Sequence, residues 1–337
     1  MRRARQNWLA IIVLEGLFLA ALSCAPLKAE PGGLFGIGAK TLGGRFTWSD
    51  EVVYDGWRIQ RSAVVGHYRL IDPKDRRYTF GSLEHCLKEL EAVKVKYELP
   101  PLPKDVVIVV HGLGASRQWM DDLSDFLTEE GGLSVVNVGY PSTMGEISGY
   151  ADSLMSVLRH LDGVETVSFV AHSMGNIVIR HTLNDILSLP EAQRPKLKFH
   201  RMVMIAPPNH GASVADNFAD NKLIQSLAGE PLQQLAPGKG WQTLEQRLAT
   251  PDFEFGIIAG GQGDGEGYLD NIPGDDDILL SVDTTKLAGA SDFALVKGIH
   301  QTLPKNDQVQ EYVLRFLEKG YFISPRAKQP LTVATGQ

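Results

Sequence analysis

Six apolar, β-rich runs recur along the chain from residue 106 onward. They are VVIVV (106–110), LSVVNVGY (133–140), TVSFV (166–170), MVMIA (202–206), FEFGIIAG (253–260) and DFALVKG (292–298). Stretches with helical spacing of apolar residues lie between or after them, around Trp119 to Thr128, Tyr150 to Leu161, Asn176 to Leu187 and Gln308 to Glu318. Strands alternating with helices predict βα units, and so an α/β fold with a mostly parallel sheet covered on both faces. Ligands of such sheets bind beyond the carboxyl ends of the strands. The residues that directly follow each run are therefore the ones to weigh.

After VVIVV comes His111–Gly112–Leu113–Gly114–Ala115–Ser116. Its glycines let backbone amides approach a ligand closely, as an oxyanion hole requires, although a tight strand-to-helix turn would use them too. After TVSFV comes Ala171–His172–Ser173–Met174–Gly175. A serine on a sharp strand–turn–helix needs small residues two positions to either side, here Ala171 and Gly175. The alternative for Ser173 is the N-cap of the following helix.

A serine hydroxyl attacks only when a base takes its proton. Of the nine histidines, His300 follows the DFALVKG run and His210 follows MVMIA; His200 precedes a strand, and His67, His85, His160 and His181 fall in the extension or in helical stretches. His300 is the expected base and His210 its rival. The acid that would orient it should follow FEFGIIAG, where GQGDGEGYLDNIPGDDDILLSVD is crowded with carboxylates. Asp277 directly precedes the apolar ILLSV, which would anchor it; Asp276 and Asp264 are the alternatives. The same acidic, glycine-rich stretch is compatible with calcium, though not at EF-hand spacing.

Taken together, HGLGAS, AHSMG, PPNHGA, DDDILLSV and the late His300 resemble the α/β-hydrolase superfamily, and within it the bacterial lipases and esterases. The resemblance spans roughly residues 100 to 320, with the candidates in the chain order Ser173, Asp277, His300. It implies Ser173 as nucleophile, His300 as general base and Asp277 as acid. The backbone amides of Leu113 and Met174 would form the oxyanion hole; His111 would order that loop and, with Gly112, line the substrate-binding cleft. The loop Pro207–Ala212, with Pro208 and His210, would border the acyl pocket. Leucine spacing at Leu223, Ile224, Leu227, Leu232 and Leu235 suggests a cap or partial lid within 207–250, against the plainer alternative of an amphipathic helix packed on the core. The implied substrate is a small-molecule or lipid acyl ester, and the chemistry requires neither cofactor nor metal. The same constellation also serves thioesterases, amidases and acyltransferases, and an inactive hydrolase-like binding protein is a further alternative.

The rest of the chain frames this centre. Arg2, Arg3 and Arg5 precede WLAIIVLEGLFLAAL, an apolar stretch of about 15 residues, short for a span of about 20. Small residues follow, so residues 1–29 read as an export signal or a membrane anchor. Export to the periplasm, the exterior or a membrane-attached position is the expectation, with association at a membrane surface compatible with it. Cys24 faintly resembles a lipoprotein processing site, and Cys86 reads as a small core residue. Residues 30–99 form an N-terminal extension with one or two strands within 56–73 and a helix capped by Ser82. Residues 100–323 would be the catalytic domain and 324–337 a tail. A net charge of −7 argues against nucleic acid as partner.

Overall fold

The computed structural model of the protein describes residues 46–212 and 222–332. The leader, Cys24 and the side chains of Leu223, Ile224 and Leu227 lie outside the described residues. The described chain begins with four antiparallel strands, β1 (Trp48–Tyr54), β2 (Trp57–Ser62), β3 (Tyr68–Ile71) and β4 (Arg77–Gly81), paired in that order. Two more strands form than the 56–73 stretch suggests. β1 carries Ser49, Asp50 and Glu51, poor strand formers that are nevertheless buried; the carboxylates of Asp50 and Glu51 find partners there. β4 is a half-exposed edge.

Helix α1 (Leu83–Lys96) covers this sheet. Ser82 Oγ accepts a hydrogen bond from the His85 amide at its N-terminus. Cys86, Leu90 and Val93 pack against Val52, Tyr54, Trp57, Ile59 and Leu70. Burial pushes the Cys86 thiol up to about 11, so it behaves as an inert core group.

The six runs form a second, parallel sheet: β5 (Asp105–Val110), β6 (Val135–Val138), β7 (Thr166–His172), β8 (Lys198–Ile205), β9 (Glu254–Gly261) and β10 (Asp292–Lys297), in the order β10-β9-β8-β7-β5-β6. The helices are α2 (Asp121–Glu129, led by a 3-10 turn over Arg117–Met120), α3 (Ile147–Arg159), α4 (Met174–Ser188), α5 (Lys222–Leu235), α6 (Lys239–Glu245), α7 (Val282–Thr285) and α8 (Asp307–Lys319). Along β5, Val106, Ile108 and Val110 join one core with Leu154 and Ile177, while Val107 and Val109 join the other with Leu123 and Phe316. Both faces are covered, which is why these runs are apolar throughout.

β5 lies between β6 and β7, so the strand order reverses there. At such a reversal the connections leave in opposite directions and a crevice opens at the carboxyl ends of the strands. His111–Gly112 and Ser173 follow the two neighbouring strands, β5 and β7, on that edge.

The insertion at 207–250 has a described part that packs on the domain. Leu235, Trp241 and Leu244 are buried in the larger core, and Gln234 Oε1 accepts from the Ile147 amide at 2.9 Å. α5 bends at Gly229, whose φ of 68° brings its Cα so close to Thr143 that any β-carbon would collide with the Thr143 carbonyl. Past α8 the chain turns back onto the domain: the Asp292 carboxylate accepts from the Phe322 and Gln329 amides, and Leu331 exchanges backbone bonds with Gly289 and Ala290. Among the described residues no helix is long and apolar enough to cross a membrane.

Candidate active site

Ser173 stands between β7 and α4 with φ 52° and ψ −129°, a backbone conformation that costs a non-glycine residue about 1–3 kcal/mol. Its surroundings hold it there. The Ser173 amide donates to Ile205 O at 2.9 Å, and the buried Asn176 side chain donates to Ser173 O at 3.0 Å and Ala171 O at 3.2 Å. The tight turn also explains its small neighbours. A β-carbon on Gly175 would lie 2.6 Å from the carbonyl oxygens of Val110 and His111. Ser173 occupies the N-cap position of α4, yet its side chain makes no cap hydrogen bond. The hydroxyl faces His300 instead.

His300 opens a 3-10 turn just past β10. Its Nε2 is 2.8 Å from Ser173 Oγ and its Nδ1 is 2.7 Å from Asp277 Oδ2. A carboxylate only accepts, so the proton sits on Nδ1 and Nε2 presents a lone pair to the serine hydroxyl. The His300 amide also donates to Asp277 O at 2.9 Å, fixing the main chain of the pair. Asp277 is fully buried, and its other oxygen accepts from the Leu279 and Leu280 amides at 3.0 and 2.7 Å.

The neighbouring acids are used elsewhere. Asp276, equally buried, accepts from the Tyr268, Leu269 and Ile278 amides and closes a turn. Burial raises its pKa from the ordinary carboxylate value. Asp264 is solvated and binds the Glu266 and Gly267 amides, which lower its pKa. Asp275 accepts from the Gln262 and Gly263 amides, both at 2.7 Å. Among the described residues no group of three His, Cys, Asp or Glu is arranged to hold a metal ion.

The loop after β5 runs beside Ser173. A methyl group on Gly112 would come within 2.8 Å of Ser173 Cβ. Leu113 follows directly, and Met174 is the first residue of α4, whose first-turn amides have no partner inside the helix and lie at its positive end. His111 is wholly buried. Its ring stacks on Tyr140 at 4.2 Å, its Nδ1 donates to Gly112 O at 3.0 Å, and its Nε2 accepts from the Tyr140 amide at 3.3 Å. Burial lowers its pKa to about 4, so it is a neutral strut under the loop and not a wall of the cleft. Pro208 is buried past β8, whereas His210 is exposed in the same loop.

Two residues of this site escape a reading of strand ends alone. Tyr140 donates its phenol proton to His111 O at 2.5 Å. His172, adjacent to Ser173 in sequence, is buried 4.8 Å from the His300 ring and donates from Nε2 to His300 O at 3.0 Å. Its Nδ1 is then a buried lone pair without a partner. Burial, and next the charge that His300 can carry, hold the His172 pKa well below the usual imidazole value. The strand alternation of β7 held the signal: His172 shares a face with Val170, in the core that contains Val296 and Leu303 of the His300 segment.

Residues 102–230 match the model of the family described as "Putative serine esterase (DUF676)". No curated protein matches the chain. Among solved structures, the lipase BlEst2 of Bacillus licheniformis in its propeptide form aligns with a TM-score of 0.50 at 18% identity, over 71% of this chain and 54% of the other. The mature form of that lipase gives a TM-score of 0.49 at 20% identity, over 65% of this chain and 93% of the other. The Staphylococcus hyicus lipase gives 0.44 at 14% identity, over 61% and 90%. The chain thus has the fold of the α/β-hydrolases, and its residues 102–230 match a family described as putative serine esterases.

Proposed function

We propose that the protein hydrolyses carboxylic esters, lipid acyl esters among them, in two steps through an acyl group carried on Ser173. His300 takes the Ser173 proton as Oγ attacks the ester carbonyl, and passes it to the departing alcohol. The carbonyl oxygen, negative in the tetrahedral intermediate, lies between the amides of Leu113 and Met174 at the positive end of α4. Asp277 keeps the Nδ1–H tautomer and stabilises the imidazolium. Water, deprotonated by His300 in the second step, releases the acid and restores the serine.

One observation carries this reading: the unbroken run of short contacts from Asp277 Oδ2 through both nitrogens of His300 to a serine hydroxyl held at a strained turn. A merely capping serine has no reason to leave its cap bond for a buried imidazole. The family match supports ester hydrolysis over amide or thioester cleavage on the same residues. Apolar spacing in the 207–250 insertion and the apolar leader support a lipid substrate met outside the cytoplasm. The experiment is hydrolysis of p-nitrophenyl esters of rising acyl length by wild type and Ser173→Ala. Turnover that survives Ser173→Ala removes the mechanism. Strong preference for acetate over long acyl chains removes the lipid substrate and leaves an esterase.

A further inference from the structure

The N-terminal sheet touches the parallel sheet at one point of unusual chemistry. Asp50, in the middle of β1, is completely buried. Its amide donates to Gly139 O at 2.9 Å and its Oδ2 accepts from the Gly139 amide at 2.7 Å, so both polar groups of Gly139 are held by one residue. The carboxylate is itself held by Arg58 Nη1 at 2.5 Å and Gln60 Nε2 at 2.7 Å, and Gln60 Oε1 is held in turn by Arg69. These residues line one face of the extension sheet, opposite the face that packs on α1.

Gly139 is the residue before Tyr140, and Tyr140 carries the loop after β5. Its amide meets His111 Nε2, its phenol holds His111 O and its ring stacks on His111. The far end of that loop is tied to the same sheet by an ion pair between Arg117 and Asp75 of the β3–β4 turn. Arg117 also packs along Gly139.

We propose that the four-stranded N-terminal sheet positions the candidate oxyanion loop, with Asp50 clamping Gly139 and so fixing Tyr140, His111 and the Leu113 amide. The chemistry of the site requires this kind of support, because a donor to a developing oxyanion is useful only when it is already in place. An apolar residue would seat β1 against the domain equally well. A buried carboxylate is costly unless its partners need it, and Asp50 has among its partners the one main-chain amide adjacent to Tyr140. Asp50 touches no reacting atom and is a positioning residue. The inference rests on the hydrolase reading above only for its kinetic arm.

The experiment compares Asp50→Asn and Asp50→Ala with Glu51→Gln. Glu51 belongs to the same strand and binds Arg61 and Ser153 of α3, away from Gly139. With p-nitrophenyl butyrate, kcat per fluorophosphonate-titrated site falls at least tenfold in Asp50→Asn and further in Asp50→Ala. KM stays within about twofold, and Glu51→Gln retains the wild-type rate. The acid limb of the kcat–pH profile stays where it is in wild type, because the His300–Asp277 pair is untouched. Titrating active sites separates this from loss of folded protein. Amide hydrogen exchange reads the clamp without any chemistry: residues 111–117 and 139–140 exchange faster in both Asp50 variants. A wild-type rate per titrated site in Asp50→Ala, an equal loss in Glu51→Gln, or unchanged exchange over 111–117 overturns the proposal. A wild-type protein that is inert toward both ester and fluorophosphonate overturns the hydrolase reading instead, and the exchange measurement still decides the clamp.

Discussion

Two adjacent aspartates, both buried and both saturated with backbone donors, separate by what their second oxygen meets. Asp277 reaches His300, whereas Asp276 gives one oxygen to the Ile278 amide of its own turn and the other to the Tyr268 and Leu269 amides of the preceding loop. Asp277→Asn keeps the bonds to Leu279 and Leu280 but turns the imidazole toward the wrong tautomer, and we expect kcat to fall about 10⁴-fold. Asp276→Asn loses charge-assisted turn bonds and costs about 1–3 kcal/mol of stability with little change in kcat. Steady-state kinetics beside urea unfolding checks both, and a larger rate loss in Asp276→Asn would reverse the assignment. Position in the sequence favoured Asp277 because the apolar ILLSV that follows needs anchoring. It could not show that Asp276 points into the loop at Tyr268 and Leu269. For His172 the strand alternation of β7 gives the face, but its partner, the His300 carbonyl, lies 128 residues away and no local pattern announces it.

The strand–turn–helix around Ser173 and the loop after β5 form one packed unit. Gly175→Ala puts a methyl group into two carbonyl oxygens of the adjoining strand end, and overpacking of this kind costs about 1–3 kcal/mol. Gly112→Ala presses on Ser173 Cβ and displaces the Leu113 amide. A misplacement of that order lowers kcat about 100-fold, with thermal unfolding much less affected. Parallel melting and turnover curves for the two variants test the distinction; equal loss of stability in both would contradict it. At this scale the sequence was highly legible. The six apolar runs are the six parallel strands, because strands covered on both faces leave no alternation to blur the signal. The extension was less so: β1 hides Asp50 and Glu51 inside, and no local pattern announces a charge whose partner, Gly139, lies 89 residues away.

The molecule as a whole buries two neutral imidazoles, His111 and His172, in addition to the His300–Asp277 pair. His111 has its pKa lowered from 6.5 to about 4 by burial, and burial likewise holds His172 well below the usual imidazole value. Unfolding restores their affinity for protons, so the unfolded chain takes up protons that the folded one refuses. Stability from these groups is complete above about pH 6.5 and is lost as the pH falls toward 4, by on the order of 3 kcal/mol for His111 alone. Urea midpoints of wild type and His111→Gln between pH 7.5 and 4.5 check this: the variant is less stable at neutral pH but its profile is flatter, and parallel profiles would contradict the account. Residues 173, 277 and 300, far apart in the chain, converge on one hydroxyl, and on the proposed mechanism they make it reactive. Intact-mass analysis and peptide mapping after treatment with a fluorophosphonate decide this. We expect one adduct per chain, on Ser173, formed quickly in wild type, much more slowly in His300→Ala, and not at all in Ser173→Ala. An unlabelled wild type, or an adduct on any other residue that persists in Ser173→Ala, would contradict it.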